Sequence, residues 1–277
     1  EPVQLTDGLG REISLNGPAQ RIVSLAPSNT EILFAVGAGS QVVGRDEISD
    51  FPAGAGEVTS IGSTFGELNT EAILALEPDL VLAADITAPE QLQTLETLGL
   101  KTFVIANPMD FDGLYSNLIT VGQLTGHSDE AGRLADDLRQ RVEGVTSTLS
   151  GEDRVPVFYE VDGSDPSAPW TTGVGTFQDL LLTLAGGDNI ASDIQGWGQF
   201  DLETLVTSDP QVILFGEGPF IATTVDTLGA RPGWGGISAV QMDRVIPIDT
   251  NWVDRPGPRL VDALEAIAKA LHPELFE

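Results

Sequence analysis

The feature that most constrains the fold of this chain is a short pattern that occurs twice. The segments "NTEAILALEPDLVL" (residues 69–82) and "DLETLVTSDPQVIL" (residues 201–214) align without a gap. Glu71 matches Glu203 at an offset of 203 − 71 = 132 residues, and the proline and several apolar positions keep that offset. Each copy predicts a short helix, a stop at the proline and a strand. We therefore expect two similarly built halves that share this element.

Strand and helix patterns alternate on both sides of one long helical stretch. "RIVSLAP", "QVVGRDE" and "LKTFVIANP" predict strands in the first half, and "RVPVFYEV" and "RVIPID" do so in the second. This order predicts an α/β fold of two Rossmann-like lobes with parallel sheets, joined by a single long α-helix. We place the N-terminal lobe at residues 1–124, the connecting helix at 125–151 and the C-terminal lobe at 152–277. Two lobes of this kind predict a ligand cleft between them.

Two local patterns near the N-terminus make specific predictions. "DGLGREISL" is typical of a small β-hairpin, because a turn signal precedes alternating residues. "SNTEILFAVGAG" predicts a helix that follows the first buried strand and ends at its glycines. Ser28 or Asn29 is the expected N-cap of that helix.

The charge of the chain excludes several classes of partner. The sequence has 13 Lys and Arg against 42 Asp and Glu, a net charge of −29. Binding to nucleic acid needs clustered basic residues, and the sequence contains no such cluster. Acidic residues are spread over the whole chain, and their mutual repulsion is relieved by salt. We interpret the composition as adaptation to concentrated salt and expect no nucleic-acid partner.

Residues suited to catalysis are scarce. The chain has no cysteine, and its two histidines, His127 and His272, lie at predicted helix ends without a partner at metal-binding spacing. No nucleophile elbow, phosphate-binding loop or complete dinucleotide fingerprint is present. We therefore expect a binding protein rather than an enzyme, with no catalytic residue, no metal site and no cofactor.

Aromatic residues supply the candidates for ligand binding. Trp170, Trp197 and Trp252 occur in segments rich in Gly, Pro or Asp, which we interpret as loops facing a ligand. Trp234 precedes the apolar run "ISAV" and is expected to pack in the core. Phe65 precedes the first copy of the repeat as Trp197 precedes the second. One aromatic ring from each lobe is therefore expected to face the ligand.

Four segments carry a family resemblance that covers about residues 21–270. "RIVSLAPSNTEILFAVGAGSQVVG", "ELNTEAILALEPDLVL", "GWGQFDLETLVTSDPQVIL" and "NWVDRPGPR" resemble the substrate-binding proteins that serve ABC importers of cobalamin, ferric siderophores and haem. The last segment is most similar to the cobalamin branch. The resemblance implies a two-lobed α/β protein with a rigid connecting helix.

The resemblance also implies roles for particular residues. Glu71 and Glu203 match the glutamates, one on each lobe, that dock into arginine pockets of the membrane permease. A repeated acid at the same helical step also suits a partner with two-fold symmetry. The implied ligand-binding residues, aromatic rings together with an amide and a guanidinium beside one of them, are Phe65, Trp170, Trp197, Asn251, Trp252 and Arg255.

The resulting expectation is an extracytoplasmic, monomeric protein that captures cobalamin or a related corrinoid and delivers it to an ABC importer. The permease and ATPase of that importer are its expected partners. A ferric siderophore or haem is the alternative ligand. The chain begins "EPVQLTDGLG", which is neither basic nor strongly apolar. We therefore expect a mature form whose precursor carries the export signal and a membrane anchor.

Overall fold

A computed structural model describes residues 2–217 and 223–276. The chain divides into two compact units. The N-terminal unit comprises Glu1–Arg139 with Pro256–Pro258, and the C-terminal unit comprises Gln140–Arg255 with Arg259–Glu277. The lobe boundaries expected near residues 124 and 151 stay a prediction. Within the described ranges, no helix combines the length and the apolar character that a membrane span requires.

The N-terminal unit contains a hairpin and a parallel sheet. Strands and helices follow in the order β1 (Val3–Thr6), β2 (Glu12–Leu15), β3 (Ile22–Ser24), α1 (Pro27–Ala35), β4 (Val42–Arg45), α2 (Thr70–Ala75), β5 (Leu80–Ala84), α3 (Pro89–Thr97), β6 (Thr102–Ile105), α4 (Phe111–Thr125) and α5 (Ser128–Thr148). β1 and β2 pair antiparallel, which confirms the predicted hairpin. The other strands form a four-stranded parallel sheet in the order β4-β3-β5-β6. Helix α5 continues into the C-terminal unit.

The parallel sheet is the core of the N-terminal unit. All residues of β3, β5 and β6 are buried. Strands covered on both faces carry continuous apolar runs, because each face packs on helices. Ile73 of α2 and Leu92 and Leu95 of α3 pack in the same apolar cluster as Val81 of β5. The core therefore fixes the loops that leave the carboxyl ends of these strands.

The predicted cap of α1 is wrong. The N-cap is Ala26, Pro27 occupies the start of the helix, and no side chain caps it. Proline is suited to the first turn because its fixed φ is helical and it lacks an amide hydrogen. Ser28 and Asn29 are instead buried within the first turn, where Asn29 Nδ2 donates to the carbonyl oxygen of Leu82 at 3.3 Å. The asparagine thus ties α1 to β5.

The C-terminal unit contains a mixed sheet. Beyond α5, its elements are β7 (Val155–Asp162), β8 (Trp170–Thr172), α6 (Phe177–Leu184), β9 (Gly187–Asn189), β10 (Trp197–Gln199), α7 (Leu202–Ser208), β11 (Val212–Glu217), α8 (Val225–Gly229), α9 (Ser238–Gln241), β12 (Val245–Asp249), α10 (Thr250–Val253) and α11 (Leu260–Leu271). The strand order is β10-β8-β7-β11-β12, and β9 also pairs with β7. β7, β9, β11 and β12 are parallel, whereas β8 pairs antiparallel with both β7 and β10, and β8 and β10 form an antiparallel ribbon. The sequence predicts β7, β11 and β12, and it predicts neither β9 nor the antiparallel ribbon.

Side-chain hydrogen bonds stabilise helix packing and the core in the C-terminal unit. Arg141 of α5 donates to both carboxylate oxygens of Glu265 in α11, at 2.8 and 2.7 Å, and to Asp262 one turn earlier. Trp234 is fully buried, and its Nε1 donates to the carbonyl oxygen of Pro166 at 3.0 Å. A bidentate guanidinium–carboxylate pair restricts orientation as well as distance. The bond from Trp234 ties the segment before β8 to the core of the unit.

Candidate functional site

Exposed apolar side chains lie at the carboxyl edge of the N-terminal sheet. Because its strands are parallel, the loops that follow them leave from one edge, which is where α/β proteins bind ligands. Ile86 follows β5 and Met109 follows β6, and both side chains are exposed. Phe65, in the loop before α2, is 69% exposed. We call Phe65, Ile86 and Met109 the apolar edge.

The backbone around Phe65 is held in place by one side chain of α3. Gln91 Nε2 donates to the carbonyl oxygens of Thr64 at 3.0 Å and Gly66 at 2.6 Å. The other end of the amide, Oε1, accepts from the backbone N–H of Ala88 at 2.9 Å. A single glutamine therefore closes the N-terminus of α3 and fixes the chain on both sides of the exposed ring. Such a ring can meet a ligand with little loss of conformational entropy.

Trp170 and Trp197 share one face of the antiparallel ribbon. Trp170 pairs with Gln199, and Trp197 pairs with Thr172. Residues opposite each other, or two apart along a strand, point to the same face, so the two tryptophans are diagonal neighbours. They are 43% and 56% exposed. The prediction that these tryptophans lie in loops is wrong, because the ribbon pairs with the end of β7.

A short helix carries the third candidate tryptophan. Helix α10 begins directly after β12, and the Asp249 carboxylate caps it by accepting from the backbone N–H of Asn251 at 2.8 Å. Asn251, Trp252 and Arg255 are each half-buried. The structure therefore places Trp252 in a helix rather than in the predicted loop.

Asp254 makes the surroundings of α10 electrostatically distinct. The residue is exposed, yet desolvation raises the pKa of its carboxyl, and the hydrogen bond from Gln178 Nε2 at 3.1 Å acts in the opposite direction. The carboxyl is therefore a weaker acid than an ordinary aspartate.

The two copies of the sequence repeat adopt the same local structure. Asn69 and Asp201 are the N-caps of α2 and α7, and each side chain accepts from the backbone N–H three residues later, at 3.1 and 2.9 Å. Ile73 and Leu205 are completely buried at the same helical step. Both helices therefore dock on their sheets in the same way, with one face toward solvent.

Glu71 and Glu203 lie in the first turns of these helices. Both glutamates are exposed. Each follows an exposed aromatic residue by six positions, since 71 − 65 = 203 − 197 = 6, and these rings are those of Phe65 and Trp197. Each unit thus carries an exposed ring and, six residues later in the first turn of the following helix, an exposed carboxylate.

Several surface residues of this arrangement were not predicted. Ile86 and Met109 of the apolar edge occupy loops directly after predicted strands, which is a signal that the sequence offers. The loops are tied together, because the Asp85 carboxylate accepts from the backbone N–H of Asn107 at 2.6 Å. Among the residues with described positions, no group of three His, Asp or Glu side chains is arranged to hold a metal ion. The exposed rings and apolar side chains provide contact area for a ligand.

Two relatives with similar sequences carry the names of binding proteins. An uncharacterized ABC transporter substrate-binding lipoprotein of Bacillus subtilis, YvrC, is 29% identical over 282 aligned positions, covering 100% of this chain and 87% of the relative. A cobalamin-binding protein of Halobacterium salinarum is 28% identical, covering 98% of this chain and 74% of the relative.

Solved structures confirm the predicted two-lobed α/β class, although the C-terminal sheet is mixed rather than purely parallel. The vitamin B12-binding protein BtuF of Vibrio cholerae is 28% identical with a TM-score of 0.76, covering 94% of this chain and 99% of that one. The haem-binding protein RhuT of Roseiflexus is also 28% identical, with a TM-score of 0.81 and coverage of 93% and 99%.

A family model described as periplasmic binding protein matches residues 22–251, which is most of the chain. The match includes both copies of the repeat, the antiparallel ribbon and the start of α10. This chain therefore belongs to the periplasmic binding protein family and is a substrate-binding protein of ABC transporters.

Proposed function

We propose that this protein captures cobalamin or a related corrinoid outside the cytoplasm and delivers it to an ABC importer. The observation that carries the proposal is the pair of exposed rings, Phe65 and Trp197, at the same step of the repeat in the two units. Trp170 adds a second ring on the face of Trp197. The cobalamin-binding relative from Halobacterium salinarum supports the same class of ligand.

Apolar and aromatic contact is the main source of binding energy in this proposal. Burying apolar surface contributes about 25 cal/mol per Å², and an aromatic side chain buries on the order of 150–250 Å². Trp170, Trp197 and Phe65 contact the broad faces of the ligand. Asn251 and Arg255 supply amide and guanidinium donors beside Trp252, and these fix the orientation of the ligand.

Haem and ferric siderophores are the competing ligands. RhuT, the haem-binding protein from Roseiflexus, has the same fold as this chain. Histidine and tyrosine are common protein ligands of haem iron. Here Tyr115, Tyr159 and His272 are all buried, and His127 lies beside the start of α5. This favours a ligand that brings a complete set of metal ligands, as cobalamin does.

Delivery requires contact with the importer. In our proposal Glu71 and Glu203 contact basic pockets of the permease, one from each unit, and the importer's ATPase responds to that contact. The protein acts as a monomer, and its precursor is anchored to the membrane, as the lipoprotein name of the Bacillus subtilis relative suggests. Two equivalent contacts suit a partner with two-fold symmetry.

The test is ligand retention in concentrated KCl. The purified protein is incubated separately with cyanocobalamin, haemin and a ferric hydroxamate, desalted, and examined for visible absorbance. We expect stoichiometric retention of cyanocobalamin alone. If haemin or the ferric hydroxamate is retained and cyanocobalamin is not, the retained compound, and not a corrinoid, is the ligand class of this protein.

A further inference from the structure

Each copy of the repeat exposes an apolar side chain that the fold does not use. Leu74 of α2 is 38% exposed and Val206 of α7 is 39% exposed. They are also matched in sequence, since 206 − 74 = 132, the offset of the two glutamates. A single exposed aliphatic residue is ordinary on a protein surface. Equal exposure at the same step of two duplicated helices indicates a shared role.

Helix geometry places each apolar side chain next to a glutamate. Leu74 follows Glu71 by three residues, and Val206 follows Glu203 by three. Residues three apart are neighbours on one face of an α-helix. The opposite faces are buried through Ile73 and Leu205. Each unit therefore presents a carboxylate with an aliphatic group beside it, and we call these two surfaces the docking faces.

We propose that Leu74 and Val206 contact the permease of the ABC importer and form the apolar half of each docking face. This inference rests on the proposed delivery function. Two matching faces fit a permease with two-fold symmetry, which offers the same surface twice. Their carboxylates select a basic patch, and the aliphatic side chains require apolar surface directly beside that patch.

The apolar half of the docking faces is expected to matter most at high salt concentration. The protein carries a net charge of −29, which we interpret as adaptation to concentrated salt. At about 1 M salt the Debye length is only about 3 Å, so attraction between exposed charges is lost beyond direct contact. Apolar contact is not screened in this way. Docking through Glu71 and Glu203 alone would weaken in the conditions that suit the protein, whereas contact through Leu74 and Val206 would persist.

The test compares three double variants. L74A/V206A removes the apolar half of the docking faces, and E71A/E203A removes the acidic half. The control is L98A/V225A, because Leu98 and Val225 are also an exposed leucine and valine, one in each unit. Affinity is measured for the ligand-free proteins against an ABC importer of the source organism that the wild-type protein stimulates, reconstituted in nanodiscs, over a series of KCl concentrations.

We expect L74A/V206A to weaken docking about tenfold, with a loss that persists at high KCl, because it removes apolar contacts from an interface. The loss in E71A/E203A should shrink as KCl rises, and L98A/V225A should dock as the wild type does. Unchanged docking of L74A/V206A at every KCl concentration, or an equal loss in L98A/V225A, would overturn the inference. Since no ligand is added, the result does not depend on whether the transported ligand is a corrinoid.

Discussion

Glu77 and Asp209 lie 132 residues apart and share an unusual backbone conformation. Their φ angles are 47° and 44°, in the left-handed region that non-glycine residues seldom adopt. Asp209 is the C-cap of α7, Glu77 directly follows Leu76, the C-cap of α2, and each residue precedes the proline of its copy of the repeat. The duplication therefore extends from sequence to helix cap, buried anchor, exposed glutamate and strained helix end.

This shared conformation predicts different responses to glycine. Glu77→Gly should raise the free energy of unfolding by about 1 kcal/mol, because glycine adopts positive φ without a steric cost. Asp209→Gly should gain less or lose stability, because the Asp209 carboxylate accepts from the backbone N–H and from Oγ of Ser238, both at 2.7 Å. Urea unfolding of both variants measures the difference. An equal gain in both would contradict the role given to Ser238.

The exposed rings predict a specific loss of ligand binding. Trp197→Ala should weaken cyanocobalamin binding by about 2 kcal/mol, roughly thirtyfold in Kd, because it removes contact area from a preformed surface. Trp197→Phe should retain much of the affinity, since a smaller ring stays in place. Titration calorimetry measures both. If Trp197→Ala binds cyanocobalamin with wild-type affinity, Trp197 is not part of the binding site.

The docking glutamates predict a separation of binding from delivery. At low KCl, Glu71→Ala combined with Glu203→Ala should leave cyanocobalamin affinity unchanged and abolish stimulation of the importer's ATPase. Both side chains are exposed, so the fold should tolerate the change. The ATPase rate of the reconstituted importer is measured with increasing amounts of binding protein. A normal ATPase response would eliminate the docking role.

The buried carboxylate of Asp7 predicts a loss of stability in acid. Burial raises the pKa of Asp7, but hydrogen bonds from the Arg11 side chain and from the backbone N–H groups of Arg11 and Val104 outweigh it, and the net pKa is lowered. Because the folded-state pKa lies below the unfolded value of about 3.9, the ionised carboxylate stabilises the protein above about pH 4. This stabilisation is lost as the pH falls through the folded-state pKa.

Asp7→Asn removes this contribution. The free energy of unfolding should fall by about 1–3 kcal/mol near pH 7, because the charged acceptor of the Arg11 guanidinium is gone. The difference from the wild type should narrow as the pH is lowered below 4. Thermal unfolding over a pH series checks this. If the stability difference between Asp7→Asn and the wild type stays constant down to the lowest pH, it does not arise from the lowered pKa of Asp7.

The sequence predicts those parts of the fold that local patterns determine. The buried parallel strands, the hairpin and the two repeat helices follow from runs of apolar residues and turn signals. Strands β8 and β10 have three residues each, and their pairing depends on the distant strand β7, so no local pattern reveals them. The tryptophans that they carry were therefore predicted in loops.

The candidate site was predictable to a similar extent. Phe65 and Trp197 were found because the repeat makes their correspondence visible in the sequence. Leu74 and Val206 were not, because an aliphatic residue in a short amphipathic helix is normally assigned to the buried face. Only their exposure in the structure separates them from Ile73 and Leu205.

The central claim, capture of a corrinoid by exposed aromatic surface, is tested most directly by calorimetric titration of the wild-type protein with cyanocobalamin in concentrated KCl at several temperatures. We predict saturable one-to-one binding with a negative heat-capacity change, the signature of apolar burial. Absence of binding to cyanocobalamin, together with saturable binding of haemin or a ferric hydroxamate under the same conditions, would contradict it.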